Sequence, residues 1–310
     1  MIAATDCFWL TPAMEALRSA RAAGRFGHAL LIHADPGCGG ELLATWAAQL
    51  LLCQLDAAPC GACTDCRHAA SHQHPDLHLA QPTGDSKQIR IDDVRAFCAD
   101  LALTSHGGGY RVGIVSPADV LNLAAANALL KTLEEPPPRT VIVLVSATPS
   151  RLPATLRSRC MRMRVVAPDL GATQAWLAAH GKAGDVAAAA DVLGNAPLAL
   201  LDADLAALAR LRADTAQHLE DIGRGRADPA AFAERWSREE FALRLACIEA
   251  WIGARIRLSA ATATGNIARQ FGLLDAVREL RREIDSPLNK AVALERWLWR
   301  LAQREAAEIR

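Results

Sequence analysis

The chain has no surplus of charge: 34 Lys and Arg stand against 34 Asp and Glu in 310 residues. A balanced sequence projects no long-range field, so nucleic acid would be engaged only through a local patch or through partners. Long apolar runs are also missing. The most apolar helical stretch, Leu42 to Cys53, is interrupted by Thr45 and Gln49 and falls far short of the ~20 residues that a membrane span requires. The opening Met1-Ile2-Ala3-Ala4-Thr5-Asp6 shows no basic segment leading into an apolar one, so no secretory signal is expected and a soluble cytoplasmic protein is the default. Repeats and low-complexity tracts do not stand out. What is there, 51% hydrophobic and 22% charged residues with abundant alanine, excludes a disordered chain and fits about two or three helix-rich domains.

Residues 28–33, 77–79, 111–115, 140–145 and 161–166 read as short strands. Helical spacing near 41–53, 91–102 and 119–134 separates them, which implies a parallel sheet covered by helices. Strand signals stop after Pro168. Residues 169–205 hold short Ala-rich helical stretches punctuated by Gly181, Gly184, Gly194 and Pro197. Beyond residue 206, Phe241, Leu245, Ile248, Ile252 and Ile256 form one buried helical stripe, and Leu294, Leu298 and Leu301 form another. Breakers at Gly265 and Ser286-Pro287 separate these helices.

Strand 28–33 runs into Ala34-Asp35-Pro36-Gly37-Cys38-Gly39-Gly40-Glu41 and then a helix, the placement of a phosphate-binding loop. A working loop follows its glycines with Lys for the phosphates and Ser or Thr for Mg²⁺. Gly40 and Glu41 stand in those places. The exchange removes a cation and adds an anion where charges about 4 Å apart interact by roughly several kcal/mol, so ATP binding is not expected at Gly37, Gly39, Gly40 and Glu41. Strand 111–115 should then lead into Asp-Glu in a motor ATPase. Ser116-Pro117 stand there instead, and Asp119 reads as a cap for the helix that follows.

Cys53, Cys60, Cys63 and Cys66 place four thiols within fourteen residues. Zn²⁺ takes four thiolates tetrahedrally, and a Cys-x-x-Cys turn supplies two corners without strain. Structural zinc leads; an iron–sulfur cluster, which usually ends its cysteine run in Cys-Pro, and free or redox thiols are the alternatives. His68, His72 and His74 are possible substitute ligands but read as surface histidines. With every corner filled by protein, no coordination position is left for catalysis.

Asn127-Ala128-Leu129-Leu130-Lys131-Thr132-Leu133-Glu134-Glu135-Pro136-Pro137, followed by Thr155-Leu156-Arg157-Ser158-Arg159-Cys160, resembles the bacterial clamp-loader ATPases of the AAA+ superfamily. The cysteine cluster, His74-Pro75-Asp76 and the segment from Pro287-Leu288-Asn289-Lys290 to Trp299 extend the likeness over nearly the whole chain. The resemblance implies an AAA+ α/β domain over 1–167 with a zinc-binding insertion at 53–66, a helical lid over 168–205 and a helical collar over 206–310. It further implies a hetero-pentameric ring with delta and gamma/tau subunits, acting on the sliding clamp and primed DNA without membrane contact. Arg159 matches the family's Ser-Arg-Cys arginine, which reaches a neighbour's γ-phosphate; its charge is permanent and forked. A lid arginine that reads nucleotide in the family is replaced by Pro197.

The expectation is a non-hydrolysing ring subunit, with any enzyme activity belonging to the DNA polymerase III holoenzyme, a DNA-directed DNA polymerase. The rivals are a hydrolysing gamma/tau-like motor and a zinc-dependent DNA-binding module. Lys131, Glu134 and Glu135 read as a solvated helix end stopped by prolines, Trp297 and Trp299 as collar packing, and Cys7, Cys38, Cys98 and Cys247 as isolated small residues.

Overall fold

Three strands that read as unbroken apolar runs are buried along nearly their whole length, because helices cover both faces of the sheet they form. In the computed structural model, which describes residues 2–84, 86–262, 266–284 and 289–305, the chain divides into two units, Met1–Pro168 and Asp169–Arg310. The first unit runs α1 (Thr11–Ala22), β1 (Ala29–His33), α2 (Gly40–Leu52), α3 (Thr64–Ala70), β2 (Leu77–Ala80), α4 (Ile91–Ala102), β3 (Arg111–Val115), α5 (Leu123–Glu134), β4 (Thr140–Ser146), α6 (Ala154–Arg157) and β5 (Met161–Arg164).

All pairings are parallel, in the order β2-β3-β4-β1-β5. Leu31 of β1 sits beside Leu144 of β4, and Arg162 of β5 beside Leu31. The helix α2 is apolar almost all round and buries Leu43, Trp46, Leu50, Leu51 and Leu52. On β3 a Cβ at Gly113 would lie 2.4 Å from Phe97 Cζ, so only glycine lets α4 cross the strand at that distance. This topology collects the loops after β1, β3 and β4 at one edge, the usual ligand edge of a parallel sheet.

One helix differs from its expected bounds. The 119–134 helix begins at Leu123, because Leu121 bridges to Ile89 in extended form and Asn122 Oδ1 accepts from the Ala125 N–H at 2.8 Å. Ala118–Val120 form a separate 3₁₀ turn.

The second unit is helical: α7 (Leu170–Ala179), α8 (Val186–Leu193), α9 (Pro197–Asp202), α10 (Leu205–Gly223), α11 (Pro229–Arg238), α12 (Phe241–Thr262), α13 (Ile267–Arg282) and α14 (Lys290–Glu305). Asp side chains at positions 169, 185, 204 and 228 cap four of these helices. The core gathers Phe241, Leu245, Ile248 and Ile252 with Leu294, Trp297, Leu298 and Leu301, and Ile256 packs at its margin. Trp297 donates to the Leu273 carbonyl at 3.0 Å, whereas Trp299 is exposed. The expected breakers Gly265, Ser286 and Pro287, and Leu288 beside them, lie outside the described residues. Among the described residues no helix is long and apolar enough to cross a membrane.

Candidate functional site

The chain leaving β1 turns into α2 through Gly37 and Gly39, whose φ angles of +76° and +89° belong to glycine. The loop has the backbone of an anion nest at a helix N-terminus, with Gly40 and Glu41 in the places where the sequence reading looked for Lys and Ser or Thr. A Cβ on Gly40 would meet Ala34 Cβ at 2.8 Å and Val145 Cγ1 at 2.9 Å. A lysine stem therefore enters only if β1's end or β4 moves. Glu41 Oε1 accepts a hydrogen bond from Ser116 Oγ at 3.3 Å. In the sequence reading Glu41 stands where a working loop carries its Ser or Thr and Ser116 where the strand end carries its acidic pair; in the fold the two bridge to each other. Sequence reasoning missed Trp9, which is buried and donates from Nε1 to the Cys38 carbonyl at 2.9 Å, fixing the loop from the N-terminal segment. A contact across 29 residues leaves no local sequence signal.

Asp119 is not the cap that the sequence suggested. Its carboxylate accepts from Ser146 Oγ at 2.7 Å, Ala147 N–H at 2.7 Å and Thr148 N–H at 2.9 Å. It closes the C-terminal end of β4, satisfying donors that the sheet leaves over, while Asn122 caps the helix.

At the other end of α2, Cys53 follows the last helical residue, Cys63 is the N-cap of α3, and Cys66 lies buried in its first turn. The four sulfurs of Cys53, Cys60, Cys63 and Cys66 lie within 4.8 Å of one another. Two of the separations, Cys60–Cys66 and Cys53–Cys63, are 3.9 Å. Disulfide sulfurs bond at about 2.05 Å, and none of these cysteines is bridged. Thiolates at the corners of a tetrahedron around one ion, with metal–sulfur bonds of about 2.3 Å, stand about 3.8 Å apart, so the donor set fits a single metal ion. An iron–sulfur cluster, with several iron atoms between its thiolates, needs more room.

The thiol cluster is tied to the domain by backbone and side-chain bonds. Cys63 N–H donates to Cys60 Sγ at 3.2 Å and Cys66 N–H to Cys63 Sγ at 3.4 Å. The Cys63 N–H foremost, with that of Ala62, brings the Cys60 thiol down to about 6, whereas desolvation pushes Cys66 up to about 12. Gln49 of α2 donates to the Cys66 carbonyl at 2.9 Å and Arg21 of α1 to that of Cys53 at 3.0 Å. His68 and His72 are exposed and stand outside the thiol group, but His74 is buried, contrary to its surface reading. Its Nδ1 accepts from the Asp76 N–H at 3.0 Å and its Nε2 lies 3.6 Å from Asp65. Asp76 in turn accepts from Ser105 Oγ and the His106 N–H, which explains the His74-Pro75-Asp76 segment as an anchor of β2.

Arg159 follows α6 and is about one-third exposed. Its Nη1 donates to the Thr155 carbonyl at 2.9 Å, and its Nη2 lies 2.7 Å from Glu134 Oε1 at the end of α5. Glu134, read as part of a solvated helix end, is thus the partner of the candidate arginine; Lys131 and Glu135 do face solvent. In the second unit Pro197 is the buried first residue of α9.

Residues 9–169 match the protein family described as DNA polymerase III, delta subunit. The chain is similar to DNA polymerase III subunit delta' of Pseudomonas aeruginosa, at 44% identity over 49% of this chain and 47% of that one. It is likewise similar to DNA polymerase III subunit delta' of Escherichia coli, at 43% identity over 52% and 48%. DNA polymerase III subunit tau of Escherichia coli is 31% identical over 51% of this chain and 24% of its own length. The chain thus spans about half the length of the delta' relatives it matches. The matched region takes in the whole parallel sheet, the glycine loop after β1, the thiols and Arg159, and helices follow it. On this match over more than half its length, the chain belongs to the DNA polymerase III delta subunit family.

Proposed function

We propose that the chain is the delta-prime-type subunit of a bacterial clamp loader, one that helps place the sliding clamp on primed DNA without hydrolysing ATP itself. The observation that carries this reading is the Glu41–Ser116 hydrogen bond across the Mg²⁺ position, beside a Gly40 that has no room for a lysine. In the family reading residues 168–205 are the lid and 206–310 the collar that joins delta and gamma/tau subunits in a pentamer. Arg159 supplies its guanidinium in trans to the γ-phosphate on a neighbouring motor subunit. Cys53, Cys60, Cys63 and Cys66 hold a structural Zn²⁺. That ion cross-links the 53–66 segment to α2 and has no open coordination position for chemistry.

The similarity to tau keeps a hydrolysing motor as the nearest competitor, and a two-part experiment separates them. Equilibrium dialysis of the isolated chain with labelled Mg-ATP is expected to show no micromolar binding; saturable micromolar binding overturns the non-hydrolysing reading. In the complex reconstituted with delta and gamma/tau subunits, Arg159→Ala is expected to leave assembly intact by native mass spectrometry. It is expected to lower ATP turnover at the site it faces by about ten-fold or more, since arginine fingers contribute ~10³–10⁵ in rate where measured. Unchanged turnover removes the finger role.

A further inference from the structure

We propose that Glu134 is the positioning residue that aims Arg159, an inference resting on the finger role just assigned to that arginine. An arginine side chain is long and rotatable, so its value to a phosphate on another subunit depends on how much of the time it points there. Arg159 is restrained at two nitrogens by two different elements. Nη1 is held by the Thr155 carbonyl of its own turn, at 2.9 Å, and Nη2 by Glu134 of α5, at 2.7 Å. One acceptor alone would leave the planar group free to swing about that bond. Two acceptors on separate nitrogens fix its plane, and the other N–H donors of the fork are left to meet phosphate oxygens.

The two holders are rigidly mounted. Leu129 and Leu133 of α5 and Leu156 of α6 are buried in one core cluster. The prolines from Pro136 stop α5 at Glu134, which sets the carboxylate at a fixed chain end. The Arg159 N–H bonds to the Leu156 carbonyl at 3.2 Å, so the backbone that carries the arginine is tied to the same cluster. The pair itself is partly exposed, with Glu134 about half accessible. It therefore contributes little to stability, and its disposition matters through the direction it gives the guanidinium.

The test uses the reconstituted complex carrying Glu134→Ala, Glu134→Gln, Arg159→Ala or the Arg159→Ala/Glu134→Ala pair, with assembly and melting temperature checked for each. Glu134→Ala is expected to lower kcat for ATP by about three- to ten-fold with KM unchanged, because the motor subunit's own loop holds the ground-state nucleotide. Glu134→Gln, which keeps an oxygen acceptor, is expected to recover most of that loss. The double variant should turn over no more slowly than Arg159→Ala alone. If Arg159→Ala slows turnover while Glu134→Ala leaves it unchanged or raises it, or if the two effects multiply in the double variant, the positioning role is overturned and the finger stands. If Arg159→Ala changes nothing, the finger reading falls and takes this inference with it.

Discussion

At its N-terminal end α2 meets a loop bent by Gly37 and Gly39; at its C-terminal end it hands over to Cys53 and the thiol-bearing segment. The loop has the backbone of a ligand site and not its side chains. The segment beyond Cys53 has the donors and little else: Leu55 is exposed, and buried apolar residues between Cys53 and Cys66 are few. The first is held by packing: Trp9 donates to the Cys38 carbonyl, and Ala34 and Val145 close against Gly40. On the proposed reading the second is held by a metal cross-link, because a short polar segment buries too little apolar surface to offset its ordering entropy. Shape and chemistry are thus separable, and one helix carries an example of each.

The most forceful way to break that contrast is to remove a thiol. Cys63→Ser is expected to release the metal, read by elemental analysis. It should lower the melting temperature of the first unit by about 10 °C, taking about 3 kcal/mol or more for the lost cross-link. If the wild-type chain contains no metal and the variant melts at the same temperature, the segment is shaped by something other than an ion. Gly40→Ala probes the opposite end. Its Cβ is crowded by Ala34 and Val145, so it is expected to lower unfolding stability by about 1–3 kcal/mol in urea titrations. Adding Ala34→Gly should recover part of that; no recovery would mean that Val145 is the obstacle. Trp9→Phe sharpens the comparison most gently. It removes the hydrogen bond to the Cys38 carbonyl and should cost about 1 kcal/mol, seen as a melting shift of about 2–4 °C with metal content unchanged.

The centre of the sheet was legible because its inner strands are continuous apolar runs: Thr140–Ser146 and Ala29–His33 sit where their composition put them. The cysteines were legible because their donors are close in sequence, so spacing nearly determines geometry. Contacts between distant segments were not. Asp119 and Asn122 are equally good caps on paper, and only the approach of Ser146, Ala147 and Thr148 takes Asp119 away. Glu134 does lie exposed at the helix end, as read, but its ion pair with Arg159 could not be seen, because the partner lies 25 positions on. His74 read as a surface residue until Asp65 and Asp76 closed around it. The sequence reading failed where a side chain's partner came from another element of the fold.

The bond between Glu41 and Ser116 joins two residues 75 positions apart on the edge where a nucleotide would sit. On the proposed reading, a loop braced from within keeps one outline whether the surrounding solution is rich in ATP, rich in ADP or depleted of both. In the proposed ring, where neighbouring subunits flex with each round of fuel, such a member is indifferent to the energy state of the cell. It serves as the fulcrum against which the others lever.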